Sequence, residues 1–177
     1  LQFQGIDFSH STWLWPNSNG CVEYQAFHPF STVQTELDGK YKEYGSEENF
    51  GAPAGVYVAK ADYVVFDRCS FKHMGANGIK LHYGTHHCKL VGNVVFDISG
   101  NGIYEMKQND DNLPSMARYN PKDIREVCSN DLIGNNYVSM CGVDYKGSVG
   151  IFCGFTKNVT ITHNEVCNMP YTGISVG

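Results

Sequence analysis

The chain has 177 residues, enough for one domain with a core, and combines a low charged fraction (18%) with abundant glycine (19 residues) and aromatics (13%). That composition suits short strands joined by many turns and excludes a disordered chain. A net charge of −5 supplies no basic footprint for nucleic acid, and no apolar run approaches the roughly 18 residues of a membrane span.

Taken in order, Phe3 to His10 reads as part of a first coil, and residues 16–51 as an insertion. A Gly-apolar pair then recurs: Gly55-Val56, Gly78-Ile79, Gly102-Ile103, Gly150-Ile151 and Gly173-Ile174, at spacings of 23, 24, 48 and 23 residues. The 48 is one coil plus an insertion at 108–125. The unit from Asn77 to Gly100 holds three apolar runs of strand length separated by turn residues. Three short strands cannot make a sheet alone. They bury their apolar faces only against copies of themselves, so the expected architecture is an all-β solenoid of about six three-strand coils. The chain starts and stops inside expected strands without a capping repeat. It therefore reads as a single segment, 1–177, of a longer protein.

Aligning on the glycines superposes Phe66, Leu90, Leu132 and Ile161 in the second strand, with Val64, Cys88, Asn130 and Val159 two residues earlier. It places Phe8, Phe71, Val95, Tyr137 and Val166 inward in the third. Asn93, Asn135 and Asn164 fall in one column between these strands, suited to left-handed turns and stacked amides, with Cys69 the exception. His10, His73, Asp97, Ser139 and Asn168 form a second column. It reads as a buried ladder serving turn backbone or, at His73 and Asp97, as an acid/base pair. Seven cysteines without a CxxC pair argue against a metal or disulfide framework, and those on strands are expected buried and reduced.

The insertions, with the longer turn Gly142 to Gly147, flank the first strand and are expected to wall a groove along it. If the residue after each glycine points inward, the next points out, giving a row of Tyr57, Lys80, Tyr104, Phe152 and Ser175. Aromatic rings beside a polar rim suit sugar faces. His82 lies two positions on, and a metal shared with His86 and His87 lacks ligand spacing. A glycosidase needs two carboxyl groups. Asp144 in the wall turn and Glu105 on strand one are the candidates, although alternation puts Glu105 inward, in need of a bulge or a partner. Asp110, Asp111 and Asp123 are further acids in the second insertion. A lyase would instead use Lys80 as base. Asn158-Val159-Thr160 is a glycosylation acceptor motif, usable if Asn158 is exposed at a turn.

The coil pattern resembles the right-handed parallel β-helix, or pectin-lyase-like, superfamily. Phe8-Ser-His-Ser-Thr-Trp-Leu-Trp-Pro16, with Gly20 and Gln25-Ala26, is similar to the opening coil of β-helical glycoside hydrolases of family 141. So is Val149 to Gly154 leading into His163 to Gly177 with its Pro-Tyr-Thr-Gly turn. The resemblance implies a carbohydrate-active lineage, with α-L-fucosidase and xylanase among that family's activities. Asn168 stands where an aspartate is common before the Pro-Tyr turn, a departure that bears on activity. The expectation is an extracellular or surface protein acting on a complex polysaccharide as a glycoside hydrolase, without a cofactor. A non-catalytic glycan-binding or assembly module, contacting other extracellular chains, and a lyase or epimerase are the alternatives.

Overall fold

The computed structural model describes residues 1–14, 52–106 and 123–177, together with the backbone of four short strands between 30 and 50. Three parallel five-stranded sheets stack side by side. The first-strand sheet holds Ala54–Val58, Asn77–Leu81, Ile103–Glu105, Ile151–Cys153 and Ile174–Val176. The second-strand sheet holds Gln2–Gln4, Val65–Asp67, Lys89–Val91, Leu132–Gly134 and Thr160–Thr162. The third-strand sheet holds Asp7–Ser9, Ser70–Met74, Val94–Ile98, Tyr137–Cys141 and Glu165–Cys167. Each strand pairs with its counterpart one coil away, so the chain is a three-sided solenoid.

The Gly-apolar register holds throughout: Val56, Ile79, Ile103, Ile151 and Ile174 are successive partners. Gly78 and Gly102 are required by close approach, because a Cβ on either would lie 2.6 Å from the carbonyl oxygen of the equivalent glycine in the next coil. Inside, Phe3 stacks on Phe66 with centroids 4.8 Å apart and Phe8 on Phe71 at 5.2 Å. The same core continues through Leu90, Val95, Ile133, Val138 and Ile151.

The register departs from the sequence expectation by one residue in the coil after the second insertion. Leu90 pairs with Ile133, not Leu132, and Val95 with Val138, not Tyr137. Asn136 rather than Asn135 therefore joins the amide column. Its Oδ1 accepts from the Asn93 backbone N–H and side-chain amide, both at 2.9 Å, and its own N–H and Nδ2 donate to Asn164 Oδ1 at 2.9 Å. Asn135 instead takes the left-handed turn position (φ 54°) that Gly92 (φ 69°) fills one coil earlier. The Cys69 N–H donates to Asn93 Oδ1, so the cysteine ends the column without breaking it. A second amide ladder, absent from the sequence expectation, joins Asn77, Asn101 and the Val149 N–H before strand one.

The second polar column shifts likewise. The left-handed positions are His10, His73, Asp97, Met140 and Asn168 (φ 51° to 62°), so Met140 replaces Ser139. These residues lie at the outer corner and are not a buried ladder: the His73 and Asp97 side chains are 43% and 36% exposed. Insertion residues 16–51 and 108–122 lie outside the described residues, apart from strands Phe30–Ser31 with Asn49–Phe50 and Gln34–Leu37 with Tyr41–Tyr44, each pair antiparallel.

Removing Asn136 strands the Asn93 backbone N–H and the Leu90 carbonyl, so Asn136→Ala should destabilise by about 2–4 kcal/mol. Asn135→Gly should change stability by less than about 0.5 kcal/mol, because glycine tolerates the same φ. Urea unfolding midpoints of the two variants check both values.

Candidate functional site

Alternation along strand one brings Tyr57, Lys80, Tyr104, Phe152 and Ser175 into one outward row, as register requires. The row is not the open face that the sequence suggests. Tyr57 is 51% exposed, but Lys80, Tyr104 and Phe152 are buried, and so is His82. Tyr104 and Phe152 stack at 5.0 Å and pack with Met106 and Val149 into a second apolar cluster outside the coil. The Lys80 amine sits 5.1 Å from the centre of the Tyr104 ring, a cation held over an aromatic face. Burial pushes the Tyr104 phenol far above its ordinary range. Tyr57 and His82 rings lie 5.1 Å apart. Stacking of large rings one coil apart, with Met106 and Val149 beside them, makes this part of the row a packed apolar cluster.

The accessible chemistry lies at the corner where strand three turns toward strand one. There the turn 142–148 is pinned onto the preceding coil: the backbone N–H groups of Asp144 and Tyr145 donate to the Ser99 carbonyl at 3.2 and 2.9 Å. Lys146 spans the turn and donates to the Gly142 and Val143 carbonyls. Asp144 itself is exposed, and Ser99 Oγ donates to its Oδ2 at 2.5 Å. Half-buried Trp13 meets Tyr145 edge to face, centroids 5.6 Å apart. Trp13 lies outside the strand-one row expected from the sequence. Its signal was the Trp13-Leu14-Trp15 run immediately before the first insertion.

Glu105 does not join Asp144. It points into the coil between Leu81 and Cys153, fully buried, while Asp144 stands outside at the opposite end of the strand-one sheet. No bulge turns Glu105 outward. Its partner is Asp131, whose carboxylate accepts from the Cys88 N–H at 2.6 Å and from Thr85 Oγ at 3.1 Å. Glu105 makes no well-formed hydrogen bond of its own. Burial first, and the neighbouring Asp131 charge second, hold its carboxyl well above the ordinary carboxylate range. Asp131 is raised too, by burial, with the Cys88 and Thr85 donors opposing. Burial of two neighbouring carboxyl groups disfavours ionising both, and the pairing hides an inward aspartate from hydrophobic pattern reading.

The remaining titratable candidates have structural partners. His86 Nδ1 meets Asp62 at 2.8 Å and His87 stacks on Tyr63 at 5.0 Å, so neither joins buried His82. Asp123 caps the short 3-10 helix Ile124–Glu126, and Arg125 holds its carboxyl down at about 2. Asp110 and Asp111 lie outside the described residues. Six cysteines are free among the described residues, all buried except half-buried Cys167. No cluster of three or more His, Cys, Asp or Glu side chains suited to a metal occurs among the described residues. No described helix is long and apolar enough to cross a membrane. Asn158 is exposed with φ 56°, ahead of the strand that begins at Thr160.

Stacked three-strand coils with parallel pairing on all three sides define a parallel β-helix. The chain belongs to the right-handed β-helix family, whose "Right handed beta helix region" matches residues 49–177. A solved structure titled "Glycoside hydrolase" superposes with a TM-score of 0.79 and 33% identity over 99% of this chain. The chain spans 30% of that protein's length. No curated protein matches the chain.

The raised pKa values of Glu105 and Asp131 mean that the folded state binds more protons than the unfolded chain. Their contribution is therefore complete below the ordinary carboxyl range and falls as pH rises from about 4.5 through the folded-state values, by at most about 1.4 kcal/mol per pH unit per proton. Glu105→Gln should flatten that decline. Unfolding free energies of parent and variant across this range measure it.

Proposed function

We propose that this β-helix is carbohydrate-active and hydrolyses glycosidic bonds in a complex polysaccharide, outside the cell or on its surface. The observation that carries the reading is the exposed Asp144 carboxyl, held at 2.5 Å by Ser99 on a pinned turn and bordered by the Trp13–Tyr145 pair. Aromatic surface packs against the C–H face of a sugar, and a carboxyl beside it can protonate a leaving glycosidic oxygen. The likeness to a protein titled glycoside hydrolase supports the same class. Glu105 has no contact with solvent, so we assign it to the core and give the acid role to Asp144. Tyr57 is the row residue left open to a glycan, while Lys80, His82, Tyr104 and Phe152 support the sheet beneath it.

A second reading, a non-catalytic glycan-binding or assembly module, is favoured by the burial of Glu105, which takes the second carboxyl read from sequence away from the surface. A lyase using Lys80 is disfavoured because that residue is buried and its amine faces Tyr104. The test is reducing-sugar release from xylan and chromophore release from an aryl α-L-fucoside. Asp144→Asn should lower kcat by about 100- to 10,000-fold with KM little changed. Unchanged kcat in the variant removes Asp144 from the mechanism, and glycan binding without turnover by the parent protein establishes the module reading.

A further inference from the structure

We propose that His73 and Asp97 form the proton-handling dyad of this same corner, with His73 Nε2 as general base and Asp97 as its positioning residue. The inference rests on the hydrolase reading above. In every coil, strand three breaks its alternation at one place, where a left-handed residue turns its side chain to the outer corner. In two adjacent coils those residues are His73 and Asp97, and His73 Nδ1 meets Asp97 Oδ2 at 2.6 Å. A carboxylate that accepts from Nδ1–H fixes the neutral imidazole in the tautomer whose Nε2 carries a lone pair. His10 stacks on the His73 ring from the preceding coil, centroids 5.0 Å apart and planes within 19°, which limits rotation of the imidazole. With the His73 side chain 43% exposed, Nε2 is reachable from solvent.

The dyad and Asp144 share a neighbourhood. Ile98 points into the core, so Asp97 and Ser99 on either side of it both face out, and the Asp144 carboxyl rests on Ser99. His73 lies one coil rise, about 4.8 Å, from Asp97, and Asp97 is two residues before the Ser99 that holds Asp144. An inverting glycosidase needs its base and acid on opposite sides of the bond with room for a water, roughly 6.5–9.5 Å between the reacting groups. In that step the water oxygen bonds to the anomeric carbon and its proton passes to His73 Nε2. The glycosidic C–O bond breaks, and the leaving oxygen takes the Asp144 proton. Proton exchange with solvent then restores both groups, with no net oxidation or reduction.

The fold supplies its own control. His86 and Asp62 make a similar cross-coil pair, 2.8 Å apart and also 24 residues apart, at the turn after strand one. If such pairs only tie coils together, the two should behave alike. In assays with xylan and an aryl α-L-fucoside, His73→Ala should lower kcat by about 100-fold or more, and added imidazole should restore at least about tenfold, which a structural loss would not allow. Asp97→Asn should lower kcat with KM unchanged, and His86→Ala should leave kcat unchanged. Nitrogen NMR of the parent protein should show neutral His73 as the Nδ1–H tautomer, independently of any activity. Full activity in His73→Ala, loss without imidazole rescue, an equal loss in His86→Ala, or the Nε2–H tautomer each overturns the dyad while leaving the hydrolase reading intact. No activity in the parent protein on either substrate overturns the hydrolase reading, and the dyad with it.

Discussion

Everything in this molecule depends on the backbone ladder that joins each strand to its counterpart one coil along. Parallel pairing on three sides fixes the rise per coil, and from that single spacing the side-chain columns follow. Glycine is needed where successive coils meet at the start of strand one, since a Cβ on Gly78 or Gly102 would collide with the carbonyl above it. Amides are needed at two corners, where Asn93, Asn136 and Asn164, and separately Asn77 and Asn101, satisfy backbone groups that the sharp turns leave unpaired. The columns of phenylalanine and aliphatic side chains then fill a narrow interior with little freedom to repack.

The same regularity explains where chemistry is allowed. Interior positions suit apolar groups, so the Glu105–Asp131 pair is held in a protonation state set by burial, and is unsuited to contact a polysaccharide. Outward positions on strand one are buried at Lys80, Tyr104 and Phe152, the two rings stacked on each other, so that part of the row is closed. Corners escape both constraints. Left-handed residues and an added turn lie there, with the His73–Asp97 pair at one such position and Asp144 held on Ser99 just after it.

Most of the architecture was legible because it repeats. Gly-apolar spacing found strand one in each coil, and the Phe8, Phe71 and Val95 stack was read correctly. The slip at Leu132, Asn135, Tyr137 and Ser139 has one physical origin. Hydrophobic patterning disfavours an inward aspartate, and the partner that makes Asp131 acceptable lies 26 residues earlier, across an insertion. Two consecutive asparagines at 135 and 136 then offered no correction, since either type suits the turn. Exposure of the strand-one row was misread for a different reason: alternation tells which way a side chain points, and not what lies over it. The approach of Trp13 to Tyr145 joins residues far apart in sequence and leaves no periodic trace.

The central claim is that carbohydrate meets this protein at the corner after strand three. A crystal structure of the protein soaked with xylo-oligosaccharide tests it most directly. The account expects sugar density packed on Trp13 and Tyr145, with a glycosidic oxygen within hydrogen-bond reach of Asp144. Density confined to the outer faces of the second- or third-strand sheets, with that corner empty, would contradict it.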